Sequence, residues 1–115
     1  MAKGARSGIA PLHVEVVTAA GTVQADAAQI PIKSSPALIV AAGDNTVGIK
    51  LPPASKGQLF FVKNTGAGSL KVWPSSGDAV NAGGTDNAYS MATVTSALFA
   101  AKDSSTWYTF PLVAS

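Results

Sequence analysis

Few side chains of this 115-residue chain are of the types that carry out acid–base or metal chemistry. The one histidine, His13, stands two positions before Glu15 in a β-branched stretch, so both side chains would lie on the same side of a strand. Such a pair can transfer a proton or begin a metal site, but the chain has no cysteine and no second histidine to complete one. We interpret the pair as part of a half-exposed strand face and predict no metal ion.

Four aspartates stand beside Gly, Asn or Ser, where a carboxylate commonly accepts hydrogen bonds from the backbone of its own turn. They are Asp44, Asp78, Asp86 and Asp103. Asp78 and Asp86, together with Asn81 and Asn87, offer oxygen ligands that a hard cation would accept, but their spacing matches no calcium loop. We therefore predict that these aspartates form turns. The chain is expected to have no catalytic residues and no cofactor.

Four aromatic side chains are the remaining candidates for recognition, since flat rings exposed on a sheet can stack on sugars. They are Trp73, Tyr89, Trp107 and Tyr108. Trp107 lies in a stretch whose neighbours Phe110 and Leu112 also require a core. We favour packing in the core or at a subunit interface, with ligand binding as the alternative.

The composition points to a protein whose exterior is covered by other proteins. Charged residues make up 12% of the chain, against about a quarter in an ordinary soluble domain, and hydrophobic residues make up 47%. Copies of the chain or a larger assembly would cover such a surface. The alternative is a monomer coated with Ala, Ser, Thr and Gly.

Charge and hydropathy also argue against two classes of partner. The net charge is +2 and the eight basic residues are scattered, so we predict no binding to nucleic acid. No apolar run approaches the roughly 20 residues that span a bilayer, and no hydrophobic region follows the basic start as in a secretory signal. We therefore expect no membrane partner and a protein that is made in a cytoplasm and stays soluble.

Alternating apolar residues, separated by turns about every ten residues, predict an all-β fold. We expect a small antiparallel β-sandwich or short barrel, jelly-roll-like or β-tulip-like, over residues 12–115, with a flexible N-terminal arm over 1–11. Residues 22–33 fit helix and strand equally well. The predicted strands cover 12–18, 37–42, 46–51, 57–64, 69–74, 78–81, 89–101 with a bend, and 105–112.

The strongest hairpin signal is the segment Thr65-Gly66-Ala67-Gly68, which stands between two alternating stretches. In the second stretch, Leu70 and Val72 fall on one face and Lys71 and Trp73 on the other. We predict a hairpin here, with one buried side.

The order of these turns and strands resembles small β-domains of tailed-bacteriophage structural proteins, most closely a capsid decoration, or cement, protein. The resemblance rests on Ala42 to Pro52, on Gly57 to Asp78 with its Lys-Asn-Thr-Gly and Pro-Ser-Ser-Gly-Asp elements, and on the closing Trp107-Tyr108. It extends over roughly residues 37–110 and consists mainly of turns and strand alternation.

The resemblance implies a non-enzymatic virion protein on the capsid exterior that binds the major capsid protein and associates with itself, as a homotrimer. It would bind and stabilise the expanded head shell. We expect the arm to contact the shell, through Lys3, Arg6, Ile9, Pro11 and Leu12. The alternative is a receptor- or carbohydrate-binding module of a fibre or baseplate.

Overall fold

The fold is all-β, as predicted, in a computed structural model that describes residues 13–31 and 36–112. One short 3-10 turn, Gln24–Asp26, lies in the stretch that the sequence left open. The arm over 1–11 and the predicted strand start at Leu12 lie outside the described residues. The strands are β1 His13–Val16, β2 Ala28–Gln29, β3 Ala37–Ala41, β4 Gly48–Lys50, β5 Leu59–Asn64, β6 Leu70–Trp73, β7 Ala79–Val80, β8 Tyr89–Met91, β9 Ser96–Ala101 and β10 Thr106–Leu112.

The strands form two sheets, and the first six strands alternate between them. The six-stranded sheet has the order β1-β3-β5-β9-β10-β7, and the four-stranded sheet has the order β2-β4-β6-β8. The chain thus winds through three coils, each with one strand in either sheet: β1 and β2, then β3 and β4, then β5 and β6. This path is like that of a solenoid and is not clearly a sandwich or a barrel.

Neighbouring coils stack in parallel. His13 pairs with Ala37 and Ala37 with Phe60, which are 24 and 23 residues apart. In the other sheet Ala28 pairs with Ile49 and Ile49 with Val72, which are 21 and 23 residues apart. The predicted antiparallel pairing is therefore wrong for this part of the chain.

The predicted hairpin at Thr65–Gly68 is also wrong. The segment joins β5 of one sheet to β6 of the other, so it is a corner between sheets. It stacks on the corner of the preceding coil, where Thr65 N–H donates to the carbonyl of Ala41 and Gly68 N–H to that of Gly43, at 2.9 and 3.1 Å. A Cβ atom on Gly66 would overlap the backbone of Gly43, and only glycine permits this approach.

After the third coil the chain reverses direction. Strand β8 runs antiparallel to β6, and β9 runs antiparallel to β5. Strand β10 pairs antiparallel with β9 and, at its start, parallel with the short β7. The bend predicted inside 89–101 separates β8 from β9, and the short strand predicted at 78–81 is β7, so both predictions are confirmed.

The core lies between the sheets and is filled by alternate residues of each strand. In β3, β5 and β9 every second side chain is buried, and Lys71 and Trp73 of β6 point away from the core as predicted. Trp107, Phe60 and Phe99 are its largest fully buried side chains, and the Trp107 and Phe60 ring centroids are 5.8 Å apart. Within the described residues the core is one hydrophobic cluster.

Asn64, at the end of β5, is a polar residue that is fully buried beside this core. Its Oδ1 accepts hydrogen bonds from the N–H groups of Gly43 and Gly66, both at 2.9 Å. Its Nδ2 donates to carbonyls of Gly68, Met91 and Ala92, at 2.9 to 3.3 Å. One side chain thus connects two stacked corners to the segment after β8.

Candidate interaction surface

The outer surface of the six-stranded sheet is apolar across five adjacent strands. The pairing registers place five side chains, one from each of β1, β3, β5, β9 and β10, side by side on the surface away from the core. This row consists of Val14, Leu38, Phe61, Leu98 and Phe110. We call the row and its outward-pointing neighbours the apolar face.

Two further rows complete the apolar face. On one side of the central row, Leu59, Ala100 and Tyr108 are in register; on the other side Val16, Val40, Lys63, Ser96 and Leu112 are in register. The most exposed members are large: Val16 is 76% exposed, Val14 55%, Phe110 50%, Tyr108 44% and Leu112 42%. These residues lie at the two sides of the face, where no described element covers them.

The apolar face is large for a monomer of this size. Taking about 100 Å² for each half-exposed aromatic ring and less for the aliphatic side chains, its apolar members expose roughly 500–700 Å². The largest apolar patch on a typical monomer is about 300–600 Å². The face therefore lies in the upper part of that range or beyond it.

Charge is nearly absent from the apolar face. Among the outward-pointing residues of β1, β3, β5, β9 and β10, Lys63 is the one charged side chain. Lys102 and Asp103 lie beside the face in the β9–β10 turn, where Lys102 Nζ is 3.1 Å from Asp103 Oδ2 and 5.7 Å from the centre of the Tyr108 ring. The hydrogen bond with Asp103 raises the pKa of Lys102, and hydrogen bonds from Ser105 N–H and Lys102 lower the pKa of Asp103.

Two shallow grooves continue the face around one end of the molecule. One, of about 250 Å³, is lined by residues of β8, the start of β9 and the end of β10, including Tyr89 and Leu112. The other, of about 230 Å³, is lined by Val16, Val40 and the residues that follow them. Val16 and Leu112 are the two ends of one row of the apolar face, so one groove lies at each end of that row.

The outer surface of the four-stranded sheet has a different character. Gln29, Lys50 and Trp73 are in register there, beside Lys71 and Ser90. Trp73 lies over Gly48, where a Cβ atom would be only 3.0 Å from the indole Nε1. That Nε1 is buried and has no hydrogen-bond partner within the described part of the chain. The surface is polar and basic, with one partly covered ring.

His13 and Glu15 are in contact with each other. His13 Nε2 is 3.3 Å from Glu15 Oε1 on the edge strand β1, and the two side chains are 53% and 35% exposed. The half-exposed strand face predicted for them is what the structure has. Residues 13–31 and 36–112 contain no group of three or more His, Cys, Asp or Glu side chains that could hold a metal ion.

The turn prediction is confirmed for Asp44 and Asp103. Asp44 Oδ1 accepts hydrogen bonds from the N–H groups of Thr46 and Val47, at 2.9 and 3.1 Å, and from the Thr46 hydroxyl. Asp103 Oδ1 accepts from the N–H groups two and three residues later, both at 2.9 Å. The hydroxyl of Thr46, followed by these N–H groups, lowers the pKa of Asp44.

Asp78 and Asp86 instead connect distant segments, so the turn prediction is wrong for them. The Asp78 carboxylate, 7% exposed, accepts from Ala54 N–H at 2.9 Å. Asp86 Oδ1 accepts from Gly77 N–H at 2.8 Å and from the Gln24 side chain at 3.1 Å, and these bonds lower its pKa. Neighbouring asparagines are also engaged: Asn81 bonds Thr109, and Asn87 bonds the Gly83 carbonyl.

The four candidate aromatics are separated by the fold. Trp107 is fully buried in the core, and the partly buried Tyr89 packs edge-on against Phe99 of the core with ring centroids 5.7 Å apart. Tyr108 lies on the apolar face and Trp73 on the opposite outer surface. The predicted arm contacts Lys3, Arg6, Ile9, Pro11 and Leu12 lie outside the described residues.

Sequence reasoning missed the apolar face, although a signal for it exists. Ala37 to Ala42, Leu59 to Val62 and Ala97 to Ala101 are apolar at both odd and even positions. A strand with water on one side alternates, whereas a strand covered on both sides is continuously apolar. These runs therefore indicate strands whose second side is also suited to burial.

Comparison of the chain with known protein families, curated proteins and solved structures finds no match. Among the described residues, no helix is both long enough and apolar enough to cross a membrane.

Proposed function

We propose that this chain is a structural protein of a tailed-phage virion: a capsid decoration protein that binds the exterior of the expanded head shell and stabilises it as a trimer. The observation that best supports a role in assembly is the apolar face, which extends across five strands of a charge-poor domain. A large apolar surface with little charge is suited to lasting contact with protein. In this proposal the chain has no catalytic role, and it moves from the host cytoplasm to the virion.

The mechanism is preferential binding. A phage shell expands as DNA enters, and a protein that binds only the expanded lattice shifts the equilibrium toward that state. Joining several copies multiplies modest contacts, because each further contact forms at high effective concentration once the first exists.

The arm over residues 1–11 is proposed to make the contact with the major capsid protein. His13 begins β1, which is the edge strand of the six-stranded sheet and carries Val14 and Val16 of the apolar face. Eleven residues of extended chain reach up to about 40 Å. An arm of that reach can lie along a neighbouring protein or add a strand to one of its sheets.

Deletion of residues 2–11 tests this role. The truncated chain should keep its fold, measured by circular dichroism, and lose co-sedimentation with expanded capsids. A matched control keeps the arm length and replaces only Lys3→Gln and Arg6→Gln, which separates charge from backbone contact. Unchanged binding after deletion would refute the role of the arm, and failure of the full chain to bind any expanded shell would refute the function.

A second candidate, a carbohydrate-binding module, is favoured by one observation only. Trp73 lies on the outer surface of the four-stranded sheet beside Lys50 and near Lys71, where a sugar ring could stack on it. Trp107 is buried, so its ring is not accessible to a sugar. A glycan array probed with the wild type, Trp73→Ala and Tyr108→Ala decides the matter: glycan binding lost only with Trp73→Ala would establish the module, and a blank array would exclude it.

A further inference from the structure

We infer that the apolar face is the surface through which copies of this chain contact one another. The inference deepens the proposed function, on whose self-association it rests, by naming the residues that form the contact. Phe61 of β5 is the centre of the face, because its row continues through Leu38 and Val14 on one side and through Leu98 and Phe110 on the other.

The area of the face fits this assignment. A stable interface of standard size buries about 800 Å² of accessible surface on each partner, and the face offers roughly 500–700 Å² of apolar surface before its polar rim is included. The core of such an interface is apolar and poor in charge, with polar groups at the rim. Lys63, Ser96 and the ion pair of Lys102 with Asp103 are at the sides of the face and fit a rim.

The shape of the face also fits copies of itself. Two twisted sheets pack face to face about 10 Å apart, and two copies of one sheet have the same twist. Five strands about 4.8 Å apart make a face about 24 Å wide, and three such faces around an axis would leave about 7 Å from each sheet to the axis. At the middle of each face, a side chain of the length of Phe61 fills that space.

Charge permits the approach of like copies. The net charge is +2 over 115 residues, so repulsion between copies is weak. Lys63, the one charged residue of the face, is in an outer row between Val40 and Ser96. Because this row is at one end of the face, the lysines of neighbouring copies lie at the open end of the contact and stay hydrated.

The first test is the molar mass of the purified chain by light scattering, without capsids. The wild type should have the mass of two or three copies at micromolar concentration. Phe61→Lys and Phe110→Lys should have the mass of one copy, with an unchanged circular dichroism spectrum. The half-exposed Phe110 is included because its substitution disturbs the fold least. Ser90→Lys, on the opposite outer surface, is the matched control and should leave the assembly intact.

The second test exploits the absence of cysteine from the chain. Phe61→Cys introduces a single thiol at the centre of the face, which should form a covalent dimer on mild oxidation, whereas Ser90→Cys should not. A monomeric wild type, or an assembly that Phe61→Lys and Phe110→Lys leave intact, would overturn the inference.

A different occupant of the face would give a different result. If the arm covers it, the wild type is monomeric and the thiol of F61C reacts with maleimide only after deletion of residues 2–11, which overturns the inference. Because no capsid is present in these experiments, a chain that assembles but ignores every shell would refute the proposed function and leave the inference standing.

Discussion

The first three coils, residues 13–73, and the closing segment, residues 89–112, build the same two sheets by different means. The coils stack in parallel, with close backbone contacts between corners and mainly aliphatic residues inside. The closing segment runs antiparallel to the last coil and contributes Trp107, Phe99 and Tyr89 to the core. The stability of the coils therefore depends on how closely their backbones approach each other. The stability of the closing segment depends on how its large side chains pack.

The largest effect is expected in the closing segment. Trp107→Ala removes the largest fully buried side chain and leaves a cavity against Phe60, so the free energy of unfolding should fall by about 3–5 kcal/mol. Urea denaturation followed by circular dichroism measures this loss. Ser90→Ala, an exposed position of β8 on the opposite outer surface, is the control and should change the value by less than about 1 kcal/mol. Equal effects would mean that the ring of Trp107 is not part of the core.

A slightly smaller effect is expected at the coil corners. Gly66→Ala forces a methyl group against the backbone of Gly43 and should lower the free energy of unfolding by about 3 kcal/mol. Gly83→Ala is the control, because its Cβ would meet only one carbonyl oxygen, at 3.2 Å. The same urea titration compares the two variants. A tolerated Gly66→Ala would show that the corners do not stack this closely.

Asn64 lies where the two regions meet. Asn64→Ala leaves buried N–H and carbonyl groups of both without their partners, and we expect a loss of about 2–3 kcal/mol. Asn87→Ala, which removes one exposed hydrogen bond to Gly83, should have little effect. Hydrogen exchange of the Gly43 and Gly66 amides should accelerate in the Asn64 variant, and unchanged protection would contradict the assigned bonds.

The smallest effect is expected for the turn carboxylates, Asp44 in the coils and Asp103 in the closing segment, and it appears in the pH dependence of stability. The hydroxyl and N–H of Thr46, with Val47 N–H, lower the pKa of Asp44, and Ser105 N–H, with Lys102, lowers that of Asp103, both from the usual 3.8. A lowered folded-state pKa stabilises the protein above the unfolded-state pKa, and the benefit disappears as pH falls through the folded-state pKa.

The midpoint temperature of thermal unfolding should therefore decrease in the wild type when the pH is lowered below about 4. Asp44→Asn and Asp103→Asn should each lower the midpoint at pH 7 and make it less dependent on pH in that range. A wild-type midpoint that does not change between pH 5 and pH 2 would contradict the carboxylate bonds.

Local patterns predicted the strands but not their connections. The alternation at 57–64 and 69–74 correctly predicted β5 and β6, yet Thr65–Gly68 has the composition of a hairpin loop and in fact changes sheets. The correct signal is long-range. Glycines recur at the corners at positions 21, 43 and 66, and prolines end the strands of the four-stranded sheet at 31, 52 and 74, spacings that indicate a repeated unit.

The apolar face could be predicted only in part for the same reason. Runs such as Ala37 to Ala41 indicate a strand with two apolar sides, but only the pairing registers place Leu38, Phe61 and Leu98 in one row. The aspartates show a similar limit, since Asp44 acts within its own turn and Asp78 bonds Ala54, 24 residues away. Neighbours in sequence determine the first kind of contact, and the path of the whole chain determines the second.

The first coil ends both sheets at the same end of the molecule, with β1 and β2 as edge strands. Equivalent positions in successive coils are 21 to 24 residues apart in sequence. Tandem duplication of one such unit would therefore insert a new coil without changing how the closing segment packs on the last coil. Each duplication would lengthen the body by about 4.8 Å and widen its apolar side by one strand. The length of the body, and the width of its apolar side, can thus be increased in steps of one coil, by evolution or by design.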